Sequence, residues 1–196
     1  MDKKEVMQMR ILCFGDSNTY GYDPQDCFGT PYPPDHRWPD CLAAQTGWEV
    51  INEGVNGRQI PRNPYALRLL RERKDPDLFL VMLGTNDLLQ GASPREAAQL
   101  MESFLHPLLP LCRILLVAPP PMKRGAWVPT DALVEDSHRL AREYAILARK
   151  LGILFADTRS SNIDLAFDGV HFTPGGHLRF AEEIKNCILP LDSPLA

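Results

Sequence analysis

The sequence predicts a doubly wound α/β fold built on a five-stranded parallel sheet. Three observations predict it. Five short apolar runs of strand length alternate along the 196 residues with amphipathic stretches of helix length. The third and fourth runs are apolar almost throughout, as strands buried on both faces are. Proline and glycine punctuate the stretches between them at positions that start and stop helices.

The elements follow in order. The strand runs are 10–14, 48–52, 78–83, 114–118 and 153–156. A helix is expected over about 38–46, and another from Asn63 to Lys74, stopping before Pro76. A third begins at Ser93-Pro94-Arg95-Glu96, with Ser93 as N-cap, Pro94 at N1 and Glu96 at N3. A long one covers about 131–151 and ends at Gly152. The last opens at Thr173-Pro174 and runs to about Cys187. No repeat, low-complexity tract or linker divides residues 1–196, so one domain is expected. The stretches 21–39 and 119–130, rich in Pro, Trp, Tyr and Gly, read as ordered loops over the strand ends.

Composition narrows the partners. Formal net charge is −4, so no global basic field draws nucleic acid or an anionic membrane. No apolar run approaches the ~20 residues of a spanning helix, and the first residues do not read as a secretory signal. Cys13, Cys27, Cys41, Cys112 and Cys187 are odd in number and form no CxxC pair, which reads as reduced thiols in the cytoplasm.

In sheets of this kind ligands sit beyond the carboxyl ends of the strands. After the first run comes Gly15-Asp16-Ser17-Asn18, after the second Asn52-Glu53-Gly54-Val55-Asn56-Gly57, and after the third Gly84-Thr85-Asn86-Asp87. Beyond the fifth comes Asp168-Gly169-Val170-His171. Together these make an acyl-transfer set. Ser17 supplies a hydroxyl nucleophile, and His171 is a base near neutral pH. Asp168, three residues earlier, can fix the tautomer of that histidine. The backbone N–H groups of Ser17 and Gly57 and the amide of Asn86 are candidate oxyanion donors. Gly54 competes with Gly57, which is chosen from its spacing after Asn52. Asp16 and Asp87 read as structural.

These four blocks, in this order and at this spacing, resemble those of the SGNH (GDSL-type) hydrolases, and the resemblance spans about residues 10–187. It is nearest to the bacterial arylesterase/acyltransferase branch, through residues 10–17, Arg37-Trp38, residues 81–87 and residues 117–121. The resemblance implies a flavodoxin-like three-layer α/β/α sandwich, with Ser17 as nucleophile, His171 as base, Asp168 as its support, and oxyanion donors at Ser17, Gly57 and Asn86. It implies no cofactor and no metal. The branch includes oligomers whose subunits help form the substrate channel, which raises self-association as an expectation, although the loops here look short. Asn18 departs from the family, where leucine or isoleucine is commoner at this place. The expected effect is on packing beside the nucleophile rather than on the chemistry.

Trp38 and Trp127, one in each long loop, are candidate apolar walls for an ester substrate. Arg37 is expected in a structural ion pair. His36 lies in the first long loop, where it could line the pocket, whereas His106 and His138 read as ordinary helix residues. His171 and His177 lack zinc-type spacing, and no G-x-S-x-G elbow is present. The expected activity is therefore that of a serine esterase, hydrolysing or transferring short acyl groups of small-molecule esters. A carbohydrate O-deacetylase using the same site is one rival, with Trp38, Trp127 and Tyr32 reading the sugar. The other is a non-catalytic phosphate- or nucleotide-binding module, with residues 17–21 cradling the anion.

Overall fold

The computed structural model describes residues 9–62, 68, 72 and 76–192. Five parallel strands form one sheet: β1 (Arg10–Gly15), β2 (Glu49–Gly54), β3 (Leu78–Met82), β4 (Arg113–Ala118) and β5 (Leu154–Asp157). Their spatial order is β2-β1-β3-β4-β5. The described helices are α1 (Ser17–Tyr20), α2 (Trp38–Thr46), α3 (Thr85–Leu89), α4 (Pro94–Leu105), α5 (Asp131–Leu151) and α6 (Pro174–Asp192). The helix expected over 63–74 lies outside the described residues, apart from Arg68 and Glu72, which are helical.

Strand alternation divides the interior into two cores. Leu12, Phe14, Phe79 and Val81 face one side, against Met101 and Leu105 of α4 and Leu140 and Tyr144 of α5. Ile11, Cys13, Leu80 and Met82 face the other, against Trp38 and Leu42 of α2 and Phe180 and Ile184 of α6. Both faces of the central strands are thus covered, which gives three layers and explains the continuous apolar runs.

The helices start and stop by local chemistry. Ser93 Oγ accepts from Glu96 N, while the Glu96 carboxylate accepts from Ser93 N at 2.8 Å, a complete capping box. Thr130 caps α5, which ends at Gly152 in the left-handed region. α6 continues past the expected Cys187 to Asp192, because Ile188 prolongs the buried stripe of Ile184. β2 also runs further than expected, its pairing with β1 continuing to Gly15↔Gly54. It is an edge strand and only partly buried, so its limits are weakly marked in hydrophobicity. α1 and α3 each span little more than a turn, too short to show a helical period. No helix among the described residues is long and apolar enough to cross a membrane.

Candidate active site

The site begins where β1 ends. Gly15 packs so tightly under α1 that a Cβ there would lie 2.0 Å from Thr19 Oγ1. Asp16 then caps α1, its Oδ1 accepting from Asn18 N at 3.0 Å. Ser17 is therefore the first residue of a helix that starts at the carboxyl end of β1, and it is only 6% exposed.

The Asp168–His171 loop meets it from the other end of the chain. His171 Nε2 lies 2.9 Å from Ser17 Oγ, and His171 Nδ1 lies 2.7 Å from Asp168 Oδ2. A carboxylate accepts only, so Nδ1 carries the proton and Nε2 is left to accept from the serine hydroxyl. The other carboxylate oxygen accepts from Val170 N at 2.8 Å and from His171 N at 2.9 Å. Burial opposes the Asp168 charge, but the bonds from the His171 ring and from these two N–H groups outweigh it and hold the carboxyl below the usual aspartate range. Gly169 makes the turn with φ 81°, and a Cβ there would lie 2.1 Å from Lys123 O.

A strap over residues 123–128 lies against this loop. Lys123 N donates to Gly169 O, Ala126 N to Phe167 O and Trp127 N to Asp168 O, at 3.0, 3.2 and 3.0 Å. Trp127 is 50% exposed and stands edge-on to the His171 ring at 5.0 Å. Tyr22, which sequence reasoning did not select, lies 4.6 Å from the same ring. Its N–H donates to Ser17 O, which holds it beside the helix that bears the serine. The available signal was its position one residue after the glycine that ends α1.

Asn86 is the second residue of α3, just after β3, where Gly84 at φ 120° lets the chain pass close to Tyr144. Its amide nitrogen donates to Arg58 O at 3.1 Å and to Asp16 Oδ2 at 3.4 Å. Asp87 accepts from Ile60 N through both oxygens, at 3.3 and 3.2 Å, and so ties the segment after β2 to α3. Of the two glycines, Gly54 is consumed by packing, since a Cβ there would lie 2.0 Å from Tyr20 N. Gly57 sits at φ 70° in an exposed turn where a Cβ would meet nothing within 4 Å.

Trp38 is corrected by the structure. It is 0% exposed, opens α2 and packs edge-on against Phe180 at 5.1 Å, so it belongs to the core and cannot wall a substrate. Its backbone N–H donates to Nδ1 of buried His177 at 3.4 Å. Burial pushes the His177 imidazole down to about 3. Arg37 pairs with Asp40 at 3.0 Å, the structural ion pair expected of it. Asn18 departs from expectation in the other direction. It makes two hydrogen bonds rather than apolar contacts: Nδ2 donates to Val170 O at 3.1 Å, and Oδ1 accepts from Phe172 N at 3.0 Å. Among the described residues no three of His, Cys, Asp and Glu are grouped to hold a metal ion.

A parallel α/β/α sheet with a serine, a histidine and an aspartate hydrogen-bonded in series at its carboxyl edge points to the class of serine ester hydrolases. Sequence comparison agrees: the model of the GDSL-like lipase/acylhydrolase family matches residues 13–179, and the chain belongs to that family. Among solved structures, an aryl esterase of M. smegmatis is 30% identical, with a TM-score of 0.80 over 93% of this chain and 99% of that one. A putative arylesterase of Agrobacterium tumefaciens is 31% identical, with a TM-score of 0.79 over 94% of this chain and 99% of that one. Est24, a carbohydrate acetylesterase of Sinorhizobium meliloti, is 27% identical, with a TM-score of 0.81 over 94% of this chain and 100% of that one. Among curated proteins no sequence matches. The chain is a serine ester hydrolase, and the phosphate-cradle reading of residues 17–21 gives way to it.

Proposed function

We propose that the protein hydrolyses short-chain carboxylic esters through an acyl-enzyme on Ser17. The observation that carries this reading is the unbroken series Ser17 Oγ–His171 Nε2–His171 Nδ1–Asp168 Oδ2, at 2.9 and 2.7 Å. Ser17 Oγ attacks the ester carbonyl while His171 takes its proton. Asp168 stabilises the imidazolium that forms. The tetrahedral oxyanion is met by the N–H groups of Ser17 and Gly57 and by Nδ2 of Asn86. For this the Asn86 amide turns one N–H away from Arg58 O or from the long contact with Asp16. Collapse returns the proton to the leaving alcohol. Water, deprotonated by His171, then releases the acid. An alcohol in place of that water gives acyl transfer instead, so the dryness of the pocket sets the partition.

Tyr22 and Trp127 flank the imidazole, with ring centroids 4.6 and 5.0 Å away, and restrict the space in which it can turn. Trp127 forms an apolar wall beside the acyl group. Acetylated carbohydrates are the second reading. It is supported by the likeness to the Sinorhizobium meliloti acetylesterase and by a half-exposed tryptophan on which a sugar can stack. We further propose a single catalytic domain acting on a small soluble ester in a reducing cytoplasm, where its five thiols stay free.

The test is hydrolysis of p-nitrophenyl acetate, with intact-mass detection after fluorophosphonate treatment. Wild type should turn over and take one adduct, and Ser17→Ala should do neither. Turnover that survives the substitution overturns the assignment of Ser17. Asn86→Ala should lower kcat by roughly 10²–10³-fold, the usual effect of losing one oxyanion donor. Acetate release from acetylated xylo-oligosaccharides, compared with that from phenyl acetate, separates the two substrate readings.

A further inference from the structure

We infer that Asn18 is a positioning residue for the catalytic base, holding the His171 imidazole in line with Ser17 through the backbone on either side of it. This rests on the reading of Ser17 and His171 as nucleophile and base.

Asn18 is the neighbour of the nucleophile in the chain, and its side chain bonds across a separation of 152 residues to Val170 O and of 154 residues to Phe172 N. The amide thus pairs with the carbonyl before His171 and the N–H after it, as an adjacent strand would. Asn18 is itself fixed, because its own N–H is bonded to Asp16 Oδ1 at the cap of α1. The remaining backbone groups of the base segment are held by its own loop. Val170 N and His171 N donate to Asp168 Oδ1, and His171 O accepts from Ala166 N at 2.7 Å. Asp168 and Ala166 therefore shape the loop, whereas Asn18 registers the shaped loop against the helix that carries Ser17. Asn18, Val170 and Phe172 are all at most 5% exposed, so water does not readily replace the amide.

Leucine, of similar volume, fills the same space but bonds to neither group. Val170 O and Phe172 N would then lose their partner, and relief comes only by moving the loop. A shift of about 1 Å at a reacting pair is enough to cost on the order of 100-fold in rate. The loss falls on proton transfer from Ser17 rather than on ester binding, which involves other surfaces.

The experiment compares wild type, Asn18→Leu, Asn18→Asp and Ser17→Ala in p-nitrophenyl acetate turnover. Active sites are counted by fluorophosphonate titration, so that kcat refers to competent enzyme only. Asn18→Leu should lower kcat per titrated site by roughly 10–100-fold with KM within about twofold. The rate of fluorophosphonate labelling should fall in proportion. Asn18→Asp keeps the acceptor for Phe172 N but loses the donor to Val170 O, and should lie between the two. The inference is overturned if kcat per site in Asn18→Leu matches wild type, even when its melting temperature is lower, because that outcome assigns Asn18 to stability alone. If Asn18→Leu does not fold, Asn18→Asp decides: unchanged kcat per site overturns the inference, and a partial loss supports it. Turnover surviving in Ser17→Ala instead removes the nucleophile assignment and this inference with it.

Discussion

Trp38 and Trp127 stand in comparable sequence settings, each in a proline-bearing segment beyond a strand, and burial alone separates them. Hydrophobic character does not tell a core tryptophan from a rim tryptophan. What decides is whether the residue falls on the inner face of a helix, as Trp38 does at the start of α2, or on a strap over a loop. Trp38→Ala should therefore cost about 3–5 kcal/mol of stability by leaving a cavity against Phe180, as measured by chemical denaturation. Trp127→Ala should leave stability within about 0.5 kcal/mol and change the relative turnover of acetate, butyrate and hexanoate esters. An unchanged acyl-chain profile would count against Trp127 as a wall of the pocket. The hydrogen-bonded grouping of Ser17, His171 and Asp168 was legible because these residue types stand in segments that follow the strands. Asn18 and Tyr22 were not, because their partners lie far away in the chain and only the folded topology brings them together.

Among the elements, strands with two buried faces were the most legible, because short runs apolar at every position, such as Leu78–Met82, suit a sheet interior covered on both sides. Edge strand β2 was ended two residues early, which left Gly54 standing as a competitor to the chosen Gly57. The β1–β2 pairing brings Gly15 and Gly54 level under α1, so Gly54 serves the close approach of strand to helix. Gly54→Ala should cost about 1–3 kcal/mol or more through overpacking against the Tyr20 backbone. Gly57→Ala should cost only about 1–2 kcal/mol, the strain of its left-handed backbone. Thermal melts of the two variants check the contrast, and equal losses would remove the packing argument for Gly54.

For the whole molecule, two buried groups set opposing pH dependences. Burial raises the Asp16 carboxyl to about 6, so from roughly pH 4 to that value the native state binds more protons than the unfolded chain. Stability from Asp16 accordingly falls as pH rises through this window. His177 works the other way. Its imidazole is pushed down to about 3, so below roughly pH 6.5 the unfolded chain takes a proton that the native core refuses, and stability falls as pH drops. Asp168 adds to the acid side, because its depressed carboxyl contributes stability that is lost as pH falls below the unfolded aspartate value. His177→Gln should melt below wild type at pH 7.5, and the gap should narrow steadily towards pH 4.5. A gap that stays constant would mean that His177 is not a source of the acid sensitivity.

Ser17 and His171 lie 154 residues apart, one near the start of the described chain and the other near its end. The serine is consequently an ordinary alcohol on a growing polypeptide until the last loop and α6 have left the ribosome and docked. Catalysis is a property of the completed topology, and its appearance reports the closing of a contact between distant parts of the chain. In refolding from denaturant, burial of the central strands should precede recovery of esterase activity, with a measurable lag between hydrogen-exchange protection of the β1, β3 and β4 amides and turnover. During synthesis the same ordering means that a truncated chain carries Ser17 without the His171 ring it bonds to in the complete fold.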